Sequence, residues 1–142
     1  PFVHGDIHHL VNNIFILAVF SALNMVRPIR FYLGSSVFII ILSGLLVWFF
    51  GRAASHIGAS GWIFGLWGFS MASAVFDRRL SNILIAMVVM FFYGGMIYGI
   101  FPADPAISYE YHLFGVVAGF ACAYIFNVFK PDASQKIKSY YE

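Results

Sequence analysis

FYLGSSVFIIILSGLLVWFFG, residues 31–51, contains no Asp, Glu, Lys or Arg. Its length is close to the ~20 residues that an α-helix needs to cross a ~30 Å hydrocarbon layer. Outward from it, residues 7–26, 53–76, 80–103 and 111–129 are equally free of these charges. These runs fill most of the 142-residue chain and leave no room for a separate soluble domain. Composition agrees: 61% of the residues are hydrophobic and 10% charged, where a soluble domain carries about 25% charged residues. The expectation is an all-α, polytopic transmembrane helix bundle with spans at about 7–26, 31–51, 60–76, 80–101 and 111–129. They form one domain over 1–129, followed by a short polar cytoplasmic tail over 130–142. Because the chain starts at Pro1 and shows no signal-like pattern before the first span, it reads as a fragment without its natural N-terminus.

The basic residues orient the bundle. Arg27 and Arg30 follow the first span, Arg78 and Arg79 the third, and Lys130, Lys136 and Lys138 the fifth, so that only Arg52 falls on the other side. Basic loops stay in the cytoplasm. The non-cytoplasmic side then holds residues 1–6, the loop around 52–59 and the loop FPADPAISYE, 101–110, whose prolines separate two helices. The net charge of +2 follows from this topology, and no nucleic-acid partner is expected. Cys122 is the single cysteine, so no internal disulfide forms, and it reads as a small packing residue.

Polar residues gather at one depth. His9 and Asn13 open the first span, Ser60 the third and His112 the fifth, and these spans all run in the same direction. Polar and ionisable groups inside a membrane are costly and usually functional. In HLFGVVAG, 112–119, His112, Gly115 and Gly119 share one helix face. In the third span Gly61, Gly65, Gly68 and Ala72 form a second stripe of small residues. Such stripes let two helices approach closely, and the approach would bring Ser60 to His112 as nucleophile and general base. The free N–H groups of the turn starting at Ser60 are natural donors to an oxyanion. His9 and Asn13 are neutral groups that would complete the hole. Phe64, one turn beyond Ser60, is a candidate for holding the His112 ring. Plainer readings stand beside these: helix packing for the stripes, a helix N-cap for Ser60, interhelical hydrogen bonds for His9 and Asn13, and ordinary core for Phe64. No carboxylate is spaced to orient His112, so the reading is a Ser–His dyad.

The motifs HGDIHHLVNN (4–13), GASGWIFG (58–65) and HLFGVVAG (112–119) resemble those of the rhomboid family of intramembrane serine proteases. The resemblance spans residues 4–129 and implies five of the six core helices of that fold, the helix before residue 1 lying outside the chain. It implies Ser60 as nucleophile, His112 as base, and His9, Asn13 and the Ser60 amide as oxyanion donors. It also implies His4 as a support of the outer loop and Gly58 as the residue shaping the turn before Ser60. The implied substrate is a transmembrane helix that unwinds readily and enters past the fourth span, with the 102–110 loop capping the site. Water would reach Ser60 from the outer side. The expected setting is the plasma or inner membrane, with a site facing the non-cytoplasmic side and no cofactor.

Three rivals remain. HGDIHH has the HxxxHH spacing of membrane di-iron sites, but His56 and His112 stand alone and there is no HExxH; no metal is expected, and His8 and His56 read as headgroup-level histidines. A non-catalytic rhomboid-like binder of transmembrane segments is the alternative from another class. A transporter would be expected to carry charge within its spans, and none does.

Overall fold

The computed structural model describes residues 1–104 and 107–128; the tail expected over 130–142 lies outside the described residues. The chain forms α1 (Ile7–Asn24), α2 (Ile29–Phe50), α3 (Ser60–Phe76), α4 (Leu80–Tyr93), a 3-10 segment (Gly94–Ile100) continuing α4, and α5 (Tyr109–Val128). No strand occurs among the described residues. α1, α2, α5 and α4 with its 3-10 extension are each long and apolar enough to cross a membrane, whereas α3 has 17 residues. The protein is an integral multi-pass membrane protein, an all-helical bundle.

The helices begin and end for local reasons. The Asp6 side chain accepts a hydrogen bond from the His9 amide at 2.9 Å and caps α1. Pro28 precedes α2 with φ −52°, a helix-compatible value that it holds without needing a donor. The tandem glycines Gly94 and Gly95 mark the point where α4 tightens into the 3-10 form. An absence of charge sets the outer limit of a span and not its hydrogen bonding, which explains the small offsets from expectation. The run to Val26, for example, already turns at Asn24, whose carbonyl accepts from Arg27 N–H.

Burial is arranged for a lipid solvent. Phe15 of α1, Leu33 and Trp48 of α2, and Phe91 and Phe92 of α4 are exposed, an apolar surface that only a bilayer tolerates on this scale. α3 is the central rod, with Gly61, an unbroken run from Ile63 to Ser70, Ala72 and Ser73 all buried. The interior also holds polar groups, several of them matched to an acceptor. Ser43 and Ser70 donate to carbonyls one turn back, Ile39 at 2.7 Å and Leu66 at 2.8 Å. Asn24 joins α1 to α3 through Ser70 at 3.2 Å.

α3 and α5 pack backbone to backbone. A methyl group added at Gly115 would collide with the Gly61 carbonyl, and one at Gly119 with the Gly65 carbonyl and the Phe69 amide. Gly65 in turn faces Ile39 and the Gly115 carbonyl, and Gly68 faces Val116. The two small-residue stripes therefore lie against each other, and only glycine permits that separation.

Candidate functional site

The turn preceding α3 requires glycine. Gly58 has φ +98°, a region L side chains rarely adopt, and a Cβ there would lie 2.7 Å from His9 Nε2 and 3.4 Å from Asn13 Nδ2. His9 and Asn13 of α1 thus pack against the turn that introduces Ser60. Asn13 is buried and its amide donates to the His9 carbonyl at 3.0 Å, which holds the side chain on that face. The N-terminal stretch closes over the same turn: the Gly58 amide donates to the Val3 carbonyl at 2.7 Å. The Ala59 amide donates to His4 Nε2 at 3.3 Å. His4 therefore carries its proton on Nδ1, and its ring meets His9 edge-on at 5.1 Å.

Ser60 is the first residue of α3, and Ala59 occupies the cap position without a side-chain hydrogen bond. This removes the plainer reading of Ser60 as the helix N-cap. Among the described residues the Ser60 hydroxyl has no hydrogen-bond partner, His112 included. At its far end α3 is tied to α4 and to the α1–α2 link, because Asn82 donates to the Asp77 carbonyl and accepts from Arg27. With 17 residues against 22 in α2, α3 is about 8 Å shorter than α2, at 1.5 Å per residue.

His112 lies in the first turn of α5 and is held from two sides. Its Nδ1 donates to the Gly99 carbonyl at 2.9 Å. The Phe64 ring stacks on it at 4.0 Å and 7° between planes. Since a carbonyl only accepts, Nδ1 bears the proton and Nε2 presents a lone pair. Phe64 is one turn from Ser60, and Gly115, one turn from His112, abuts Gly61. Ser60 and His112 therefore belong to adjoining first turns at one end of the bundle. Gly99 belongs to this arrangement by the closeness of its backbone: a methyl group on it would lie 2.7 Å from Phe64 Cζ and 3.4 Å from His112 Nδ1.

A clamp on the same end was not visible in the sequence. Arg52 bonds the Ile107 carbonyl at 2.8 Å, pairs with buried Glu110 at 3.1 Å and lies over the Tyr109 ring. His56 donates from Nε2 to the Arg52 carbonyl at 2.9 Å, so its Nδ1 accepts from the Ser108 hydroxyl. Ser108 then accepts from the Tyr111 amide at 3.3 Å, within the turn that carries His112. The α2–α3 loop thus grips the segment 107–111. The one signal for this in the sequence was Arg52 itself, the basic residue on the side with no others. His56, expected at headgroup level, is part of this clamp. Glu110 likewise departs from expectation, a carboxylate inside the first turn of a spanning helix, held there by Arg52. Tyr111, beside His112, lies over Gly61. The HxxxHH histidines recruit no further ligands: among the described residues no three of His, Cys, Asp or Glu gather as a cation site.

The family model for the rhomboid domain matches residues 1–129. An uncharacterised protein of Mycobacterium tuberculosis is 35% identical over 136 residues, covering 89% of this chain and 57% of its own length. An uncharacterised protein of Mycobacterium leprae is 31% identical over 136 residues, with 89% and 54% covered. A protein of Acanthamoeba polyphaga mimivirus that carries a provisional rhomboid name is 29% identical over 143 residues, with 96% and 77% covered. The chain spans little more than half the length of the mycobacterial relatives. No solved structure matches it.

Proposed function

The chain belongs to the rhomboid family, and from that premise we propose that it is a serine endopeptidase cleaving transmembrane helices within the bilayer. The observation that carries this reading is the hydrogen bond from His112 Nδ1 to the Gly99 carbonyl under the stacked Phe64 ring. A bond to Nδ1 fixes the tautomer that a general base needs and leaves Nε2 for the Ser60 hydroxyl. Catalytic hydrogen bonds tighten as substrate binds, so the separated resting hydroxyl is compatible with this role.

In the reaction the Ser60 Oγ attacks the scissile carbonyl while His112 Nε2 takes its proton. The negative charge that develops on the substrate oxygen faces the Ser60 amide at the positive end of α3, with the His9 and Asn13 side chains as further donors. His112 then protonates the leaving amine, and a water molecule, deprotonated by the same nitrogen, releases the acyl group from Ser60. Gly58 keeps His9 and Asn13 against the nucleophile's turn; His4 holds that turn through the Ala59 amide. The helical substrate enters past α4, the 102–104 and 107–110 stretches cap the site, and water arrives from the outer side. The site faces the non-cytoplasmic side of the cell membrane, opposite the basic loops.

Labelling with a serine-directed fluorophosphonate in detergent tests the reading, together with cleavage of a transmembrane reporter. Both are expected to fall by about three orders of magnitude or more in Ser60→Ala and in His112→Ala. Labelling that survives Ser60→Ala would move the reactivity elsewhere. Binding of a transmembrane segment without any cleavage by the wild-type protein would establish the non-catalytic binder instead.

A further inference from the structure

At the end of the bundle away from Ser60 lies a cavity of about 600 Å³ between the α1–α2 link, the end of α3, the start of α4 and the last turn of α5. Its walls are mostly apolar, with Phe31, Phe69, Ile85 and Phe126 among them, and its charged lining is Arg27, Arg79 and Asp77, a net single positive charge. Arg79 already pairs with Asp77 at 3.4 Å. Arg27 is different. Its guanidinium lies over the Phe69 ring and donates to two neutral amide oxygens, Asn24 at 2.9 Å and Asn82 at 2.6 Å. Asp77 also attracts Arg27 through space, but the guanidinium's hydrogen bonds go to neutral oxygens, so it can still engage an added anion, and the poorly hydrated walls strengthen that attraction. Val26 and Phe31, at the edge of the cavity, expose apolar surface to the lipid.

We propose that this cavity binds an anionic phospholipid, its headgroup phosphate on Arg27 and the upper part of an acyl chain along the Phe31–Phe126 wall. Two features select this occupant. The net single charge complements a phosphodiester, and the apolar wall open to lipid would gain nothing from a free inorganic anion. The cavity also sits at the level of the basic loops, where anionic headgroups are attracted. The bound lipid would bridge α2, α3, α4 and α5 at the base of α4. This inference stands apart from the protease reading and needs neither Ser60 nor His112.

The test is native mass spectrometry of the full-length protein released from micelles doped with equal phosphatidylglycerol and phosphatidylcholine. Wild type is expected to retain phosphatidylglycerol preferentially. Arg27→Gln should lower that preference about fivefold, the effect of one basic group at an anionic surface. Because Arg27 also ties helices together, Ser81→Glu serves as the second variant. Ser81 lines the cavity from an exposed position in the first turn of α4, where a carboxylate suits the helix dipole and leaves the Arg27 bonds intact. It should cause a similar fall with an unchanged melting midpoint. Arg30→Gln, at the same end but outside the cavity, should retain the wild-type ratio. Equal retention of the two lipids by wild type, an unaltered ratio in Ser81→Glu, or an equal loss in Arg30→Gln would overturn the site. Displacement of phosphatidylglycerol by millimolar inorganic phosphate would overturn the lipid as occupant.

Discussion

Replacing Gly99 with alanine perturbs the proposed base without touching it chemically. The added methyl would lie 2.7 Å from Phe64 Cζ, where carbon atoms prefer about 3.5–4.0 Å. The Phe64 ring must retreat by about 1 Å, or the Gly99 backbone must move by as much. Either movement reaches His112, because Phe64 stacks on it at 4.0 Å and its Nδ1 depends on the Gly99 carbonyl at 2.9 Å. A misplacement of ~1 Å at a catalytic group costs about a hundredfold in rate. Stability should change little. Alanine is favoured over glycine in a helical segment by roughly 0.5–1 kcal/mol, which offsets much of an overpacking cost of about 1–3 kcal/mol. The assay is the second-order rate of fluorophosphonate labelling beside the thermal midpoint in the same detergent. We expect labelling to fall about a hundredfold with a nearly unchanged midpoint. Wild-type labelling in Gly99→Ala, with His112→Ala inactive, would refute the idea that this carbonyl and ring position the base.

Other outcomes follow from the same geometry. Gly115→Ala sets a methyl against the Gly61 carbonyl; since backbone cannot swing aside, a loss of about 3 kcal/mol is expected in denaturant unfolding. Arg52→Gln leaves buried Glu110 without its cation. After allowance for the part-exposed arginine, about 1–2 kcal/mol should be lost, with partial recovery in the double variant carrying Glu110→Gln. Phe64→Leu removes the ring face from His112 and should slow labelling more than it lowers the melting midpoint, whereas an equal loss of folded protein would make Phe64 ordinary core. The Asp6 carboxyl titrates below its ordinary 3.8, chiefly through the His9 amide bond. Its folded value is depressed, so its support of α1 is present at neutral pH and lost as pH falls through and below that value. Hydrogen exchange at the His9 amide should therefore accelerate in acid, and Asp6→Asn, still a good cap, should abolish that pH dependence.

Much of this protein was legible without coordinates because lipid imposes a coarse rule: uncharged runs of sufficient length become helices, and their order alone dictates which ends share a side. That rule placed His9, Asn13, Ser60 and His112 at one end, and helical periodicity put the glycines of α3 and α5 on single faces. The sequence could not say which faces meet, since any two stripes of small residues are interchangeable as patterns. Nor did it reveal Gly99, whose contribution is a backbone carbonyl, or the clamp of Arg52, His56, Ser108 and Glu110, whose members are up to 58 positions apart, from 52 to 110.

Composition and spacing thus determined the bundle, its topology and the residue types available for chemistry, because these depend on local transfer of groups from water to lipid. Tertiary structure alone decided the tautomer and orientation of His112, the contact of α3 with α5 through their glycines and the burial of Glu110 against Arg52. Those properties arise where separate segments compete for the same few ångströms, and no single segment contains that information.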